Sequence, residues 1–132
     1  MFIVLSPSSP DPMYKQVADQ IRDAIASGEL QPNEKLPSIR EMSEILEISV
    51  ITIKRAYLDL EKEGFTLTRA GLGTFVADVN RESLRHEKLD EYRIELTRIL
   101  ETGRKFGIAA LDIHELIDAI EEKRDGTDRQ SR

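Results

Sequence analysis

The side chains best placed for chemistry in this 132-residue chain gather at the starts of two neighbouring helical patterns. Ser38 is followed three residues later by Glu41, a capping-box spacing, and Arg40 lies in the same first turn. Ser49 and Thr52 open the next pattern, and Lys54 and Arg55 follow one turn in, on the side away from Ile53, Ala56 and Tyr57. Asp59, Glu61 and Glu63 are held back to its C-terminal half. Hydroxyls, open backbone N–H groups and cations at a helix N-terminus suit a phosphate, and the same hydroxyls serve ordinary capping. Catalysis has no such support. The chain has no cysteine, which removes thiolate nucleophiles, disulfides and thiolate metal sites together, and only His86 and His114 offer imidazoles. His114 with Asp118 at i+4 is half a metal site, with His86 distant in sequence, so no metal and no cofactor is expected. There is neither a glycine-rich phosphate loop nor a Ser-His-acid set, and the chain reads as no enzyme.

Such groups need a scaffold, which the hydrophobic periodicity supplies. A short strand is expected at Phe2 to Leu5, then a Ser- and Pro-rich loop from Ser6 to Pro12. Helix 1 begins near Met13, carries Tyr14, Val17, Ile21, Ala24 and Ile25 at helical spacing, and stops at Ser27-Gly28. Asn33 to Pro37 reads as a turn, and Ile39, Met42, Ile45 and Leu46 as the inner face of helix 2. Helix 3 runs from Ser49 to Glu63 with Ile53, Ala56, Tyr57 and Leu60 inward and Gly64 as its left-handed terminator. Two short helices around a tight turn make a helix-turn-helix. Phe65 to Ala70 then alternates apolar and polar residues, Gly71-Leu72-Gly73 reverses the chain and Thr74-Phe75-Val76 returns, a hairpin that turns the pair into a winged helix-turn-helix.

Beyond Val79 the pattern is helix alone. Leu84, Leu89, Tyr92, Leu96, Ile99 and Leu100 mark one stripe, ended by Gly103. Asp112 with Glu115 caps a last helix bearing Ile113, Leu116, Ile117 and Ile120, and Arg124 to Arg132 is polar and expected to be disordered. The expected fold is therefore mainly α with a small β hairpin, a winged helix-turn-helix over residues 1–78 followed by a two-helix tail over 79–132. So small a tail cannot bury both stripes by itself, so a second copy should cover Leu89, Tyr92, Leu96, Ile99, Ile113, Leu116, Ile117 and Ile120.

Charge works against the simplest version of a nucleic-acid reading. The chain carries 19 Lys+Arg against 25 Asp+Glu, formal net charge -6, and neither half is basic. Placement has to answer for it, and over residues 49–74 four basic residues (Lys54, Arg55, Lys62, Arg69) face three acidic ones. Modest affinity of a single copy and reliance on dimeric binding follow. No apolar run approaches the ~18 residues of a membrane span, and Phe2 to Leu5 lacks the flank and length of a signal peptide. The chain reads as a soluble cytoplasmic protein with no membrane partner.

Six blocks in order carry a family likeness beyond this pattern. Pro12-Met13-Tyr14-Lys15-Gln16 and Gly28-Glu29-Leu30 come first, then Leu36-Pro37-Ser38-Ile39-Arg40-Glu41 and Ser49-Val50-Ile51-Thr52. Ala56-Tyr57 with Leu60-Glu61-Lys62-Glu63-Gly64, and Gly71-Leu72-Gly73-Thr74-Phe75-Val76, complete them. Over roughly residues 10–78 the chain resembles the GntR family of bacterial transcription regulators, and its short helical tail is similar to that of the YtrA subfamily, where the tail is a dimerisation arm. The resemblance implies a homodimer that binds double-stranded DNA at a two-fold symmetric operator, more often as a repressor. It matches Arg40 to an arginine that contacts DNA. The DNA-binding set is then Ser38, Arg40, Ser49, Val50, Ile51, Thr52, Lys54, Arg55, Arg69 and Gly71, with Val50 and Ile51 offered to thymine methyl groups. Three positions depart from the family: Asn33-Glu34 stands where Pro-Gly is usual, Val50 where many members carry Arg, and Leu72 where the wing often has Lys. Those departures and the acidic balance favour a second reading, a winged-helix protein-interaction module without DNA function. A third, a small metal- or ligand-binding helical protein, lacks the ligands it would need. No small-molecule effector is legible.

Overall fold

The computed structural model describes residues 3–130. In chain order it contains α1 (Met13–Ser27), α2 (Ile39–Leu46), α3 (Val50–Lys62), β1 (Thr66–Arg69), β2 (Gly73–Val76), α4 (Arg81–Arg104) and α5 (Ala110–Gln130). The fold is mainly α with one antiparallel hairpin, Thr66 pairing with Val76 and Arg69 with Gly73. Contacts divide the chain into two compact units, Met1–Leu84 and Arg85–Arg132. Half-buried Leu84, in the first turn of α4, still packs on the core of the first unit.

That core is built where the helical periodicity points. Val17, Ile21, Ala24 and Ile25 of α1 close on Ile53, Ala56, Tyr57 and Leu60 of α3, and Leu36, Met42, Phe65 and Val76 fill the remaining sides. Ile21, Ile53 and Leu60 are wholly out of water, each worth roughly 1.5–3 kcal/mol in burial. Ser38 caps α2 with a complete capping box, Ser49 caps α3, and Gly64 ends α3 at φ +83°. The Gly64 N–H bonds to Glu61 C=O and the Phe65 N–H to Leu60 C=O, so the chain leaves the helix directly into the wing.

Several expectations are corrected. Residues 3–5 form no strand, while Phe2 lies outside the described residues. The Gln20 amide takes the place of a partner strand, accepting from the Val4 N–H at 2.9 Å and donating to the Val4 C=O at 2.8 Å. Gln16 does the same at Ser6, accepting at 2.8 Å and donating at 3.1 Å. Asn33 to Pro37 is more than a turn: Lys35 bridges Phe75, and the Leu36 N–H donates to Thr74 C=O, adding a short third rung to the hairpin. The left-handed residue there is Asn33, at φ +70°, so Pro32-Asn33 takes the role of Pro-Gly, one residue earlier than expected. Ile45 is 66% exposed. At about 100° per residue it lies beyond Met42 on α2, at the edge of the inward face.

In the second unit α4 passes through Gly103 to Arg104. The reversal falls on Gly107, at φ +73°, with the Ile108 N–H returning to Gly103 C=O at 3.0 Å. Gly103 matters for another reason: a Cβ there would come 3.4 Å from the Ile108 Cβ. Asp112 is not the cap of α5 but its third residue, accepting from the Ala109 N–H at 2.8 Å. Ala109 has no side-chain acceptor, and Asp112 supplies one from inside the helix. The backbone of α5 continues to Gln130, through most of the segment expected to be disordered.

Candidate nucleic-acid interface

Two helix starts and the hairpin hold the sequence-derived residues. The Ser38 hydroxyl accepts from the Glu41 N–H at 3.0 Å, and the Glu41 carboxylate returns to the Ser38 N–H at 3.4 Å. Glu41 is thereby spent on the helix end. Arg40, next to it in sequence, is exposed and makes no ion pair among the described residues. Behind α2, the Tyr57 hydroxyl donates to Pro37 C=O at 2.7 Å and ties α3 to the loop before α2. Burial first, and the Glu41 charge second, push that hydroxyl far above its ordinary value, so it stays a donor.

At the start of α3 the Ser49 hydroxyl accepts from the Thr52 N–H at 3.1 Å and lies 2.8 Å from the Thr52 hydroxyl. Val50 is 48% exposed and Ile51 80%. Neither turns inward, and the first buried side chain of the helix is Ile53. Lys54 is exposed and, like Arg40, without an ion pair among the described residues. Arg55 is held differently, its guanidinium 3.6 Å from the centroid of the Tyr14 ring on α1.

The acids at the far end of α3 are partly neutralised. Glu63 receives two hydrogen bonds from Arg22 of α1, at 2.8 and 3.0 Å, and Arg22 also donates to Asp19. Burial works against the Arg22 charge, but the hydrogen bonds it donates to both acids outweigh it and raise its pKa. The cationic lead and acidic tail of α3 therefore survive in three dimensions, with the tail's last acid compensated.

On the wing, Gly71 has φ +73° and no atom near the place of a Cβ, so the backbone is bare at that residue. Arg69 leans back over the Phe75 ring, 4.7 Å from its centroid, and donates to the Asn33 side chain at 3.4 Å. Sequence reasoning missed Tyr14, Asn33 and Lys35 as neighbours of these cations. Only the pairing of residue 35 with residue 75 brings Asn33 and Lys35 to the wing, and only the crossing of α1 on α3 brings Tyr14 under Arg55; nothing local in the sequence encodes either. Among the described residues no cluster of His, Asp or Glu could hold a metal ion, and no helix is long and apolar enough to cross a membrane.

A helix-turn-helix with a hairpin wing, led by exposed cations, defines a winged-helix DNA-binding transcription regulator. Residues 13–76 match the family described as bacterial regulatory proteins, gntR family. The chain is 30% identical over 118 residues to the HTH-type transcriptional repressor YtrA of Bacillus subtilis, covering 89% of this chain and 91% of that one. A solved structure of a transcriptional antiterminator from Listeria monocytogenes is similar at TM-score 0.70 and 29% identity, over 92% of this chain and 90% of the other. The DNA-binding domain of AraR, solved in complex with an operator, is similar at TM-score 0.51 and 34% identity, over 56% of this chain and 92% of that one. The chain belongs to the gntR family of bacterial regulatory proteins and is similar to YtrA over nearly its whole length.

Proposed function

We propose that this regulator represses transcription in the cytoplasm by binding, as a homodimer, an operator with two-fold symmetry. The winged helix-turn-helix, residues 1–78, meets DNA and the helices beyond it join two copies. The observation that carries the reading is the pair of exposed cations Arg40, in the first turn of α2, and Lys54, one turn into α3, neither with an ion pair among the described residues. Ser38 and Ser49 cap those helices and, with Thr52, can add hydroxyl donors to phosphates, while Val50 and Ile51 offer apolar contact to bases. Arg55, Arg69 and Gly71 complete the interface. The likeness to an operator-bound DNA-binding domain supports it. The relatives it matches are transcription regulators, and the role is binding without catalysis.

The test is mobility shift with genomic fragments at two salt concentrations, on wild-type protein and on Arg40→Ala and Lys54→Ala. Phosphate-driven binding weakens steeply with salt, and each lost phosphate contact lowers the log-log slope by about 0.9. Specific and random DNA should weaken alike in both variants. A protein that shifts no fragment at low salt would instead be the interaction module its net charge of -6 favours.

A further inference from the structure

Leu72 leaves the wing turn without a cation, and the nearest one in sequence, Arg69, is turned away from it onto Phe75 and Asn33. A different cation fills the place. Lys35 lies on the segment that bridges β2 at Phe75, and its side chain runs across Gly73: a Cβ built on that glycine would meet the Lys35 Cε at 2.9 Å and lie 3.6 Å from the Nζ. Gly73 sits at φ +122°, a conformation other residues rarely adopt, so the backbone itself keeps this seat open. Arg69 and Gly73 are direct register partners, as are Leu67 and Phe75, and the pleat sends alternate residues of a strand to one face. The contacts of Arg69 with Phe75 and of Lys35 with Gly73 place both cations on the same face as Leu67. The opposite face carries buried Thr66 and Val76 against the core. No Asp or Glu occurs from Phe65 to Ala77, and Lys35 makes no ion pair among the described residues.

We infer that Lys35 is the wing's phosphate-contacting cation, supplied from outside the hairpin in place of the lysine missing at Leu72. Arg69 serves the same surface as a positioning residue, pinning Asn33 and with it the bridging segment. The ligand is the sugar-phosphate backbone beside the groove read by α3, and the assignment rests on the DNA-binding reading above. The flexible lysine stem, lying over a residue with no side chain, can swing toward the turn without displacing a neighbour.

Salt titrations of wild type, Lys35→Gln, Lys35→Arg and Arg69→Gln on operator and random DNA separate the possibilities, with thermal melting to establish that each variant is folded. Lys62→Gln, at the acidic end of α3, serves as a control of equal charge change. Lys35→Gln should lower the log-log slope by about 0.9 per contact and weaken both DNAs roughly five- to ten-fold at 0.1 M salt, Lys35→Arg should restore both, and Lys62→Gln should do neither. A Lys35→Gln slope equal to that of wild type or of Lys62→Gln overturns the assignment, as does a slope loss confined to Arg69→Gln. Wild-type protein that binds no DNA would defeat the broader reading instead, whatever the variants do.

Discussion

Val50 and Ile51 put apolar, β-branched side chains at the leading end of α3, where hydrogen bonding to bases is impossible for them. Their exposure fits contact with the C5 methyl of thymine, worth on the order of 1 kcal/mol each. Replacing each half-site thymine by uracil should therefore expose one position with about a five-fold loss of affinity, and that loss should vanish in Ile51→Ala protein. Indifference to every thymine methyl would leave the two side chains without a role in base reading. Residues of this kind were legible in the sequence because caps and helix polarity are local: Ser38, Ser49, Arg40 and Lys54 stand where their spacing puts them. Lys35 and Tyr14 were not, since one depends on an isolated bridge to β2 and the other on α1 crossing α3.

Among the elements, α2 ends under strain. Glu47 adopts φ +56°, the left-handed conformation that a side chain with a Cβ resists. Glu47→Gly should relieve it and raise stability by about 0.5–1 kcal/mol after the added freedom of the unfolded chain is subtracted, measured as a higher melting temperature. A lower melting temperature would mean that Glu47 gains more from its surroundings than its backbone loses. On α1, burial alone would raise the Asp19 carboxyl, but hydrogen bonds from Lys15 and Arg22 outweigh it and hold the group below 3.8. The folded chain thus binds this proton less readily than the unfolded one, so the stabilisation is complete above the ordinary carboxylate value and drains away as pH falls through the folded one. Asp19→Asn should cost less than about 1 kcal/mol at neutral pH, and progressively less as the pH is lowered below the ordinary carboxylate value, by chemical denaturation across that range. Element existence followed from periodicity. Element ends did not where partners came from elsewhere: Gly103 looked like a terminator but serves the return of Ile108, and Asp112 looked like a cap but works from the third position of α5.

The whole molecule carries surface that one copy leaves wet. Leu89, Tyr92, Leu96 and Ile99 on α4 and Leu116, Ile117 and Ile120 on α5 are all exposed, Ile113 is half-buried, and the two helices scarcely touch beyond their shared turn. Exposed apolar stripes of this length signal association. Light scattering at micromolar concentration should give a dimer for the full chain and a monomer for residues 1–84. A full-length monomer would leave the stripes without an occupant, and a dimer that survives truncation would move the interface to the first unit. The N-terminal segment is managed in the opposite sense. Extended apolar backbone such as Ile3 to Leu5 is the kind of edge to which a foreign strand can add, yet both hydrogen-bonding groups of Val4 are consumed by the Gln20 amide. A glutamine amide pairs with that backbone but has no strand of its own to continue, so the rungs made by Gln20 at Val4 and Gln16 at Ser6 leave no further edge to template from. One apolar surface is left open while another edge is closed by side chains of the same copy.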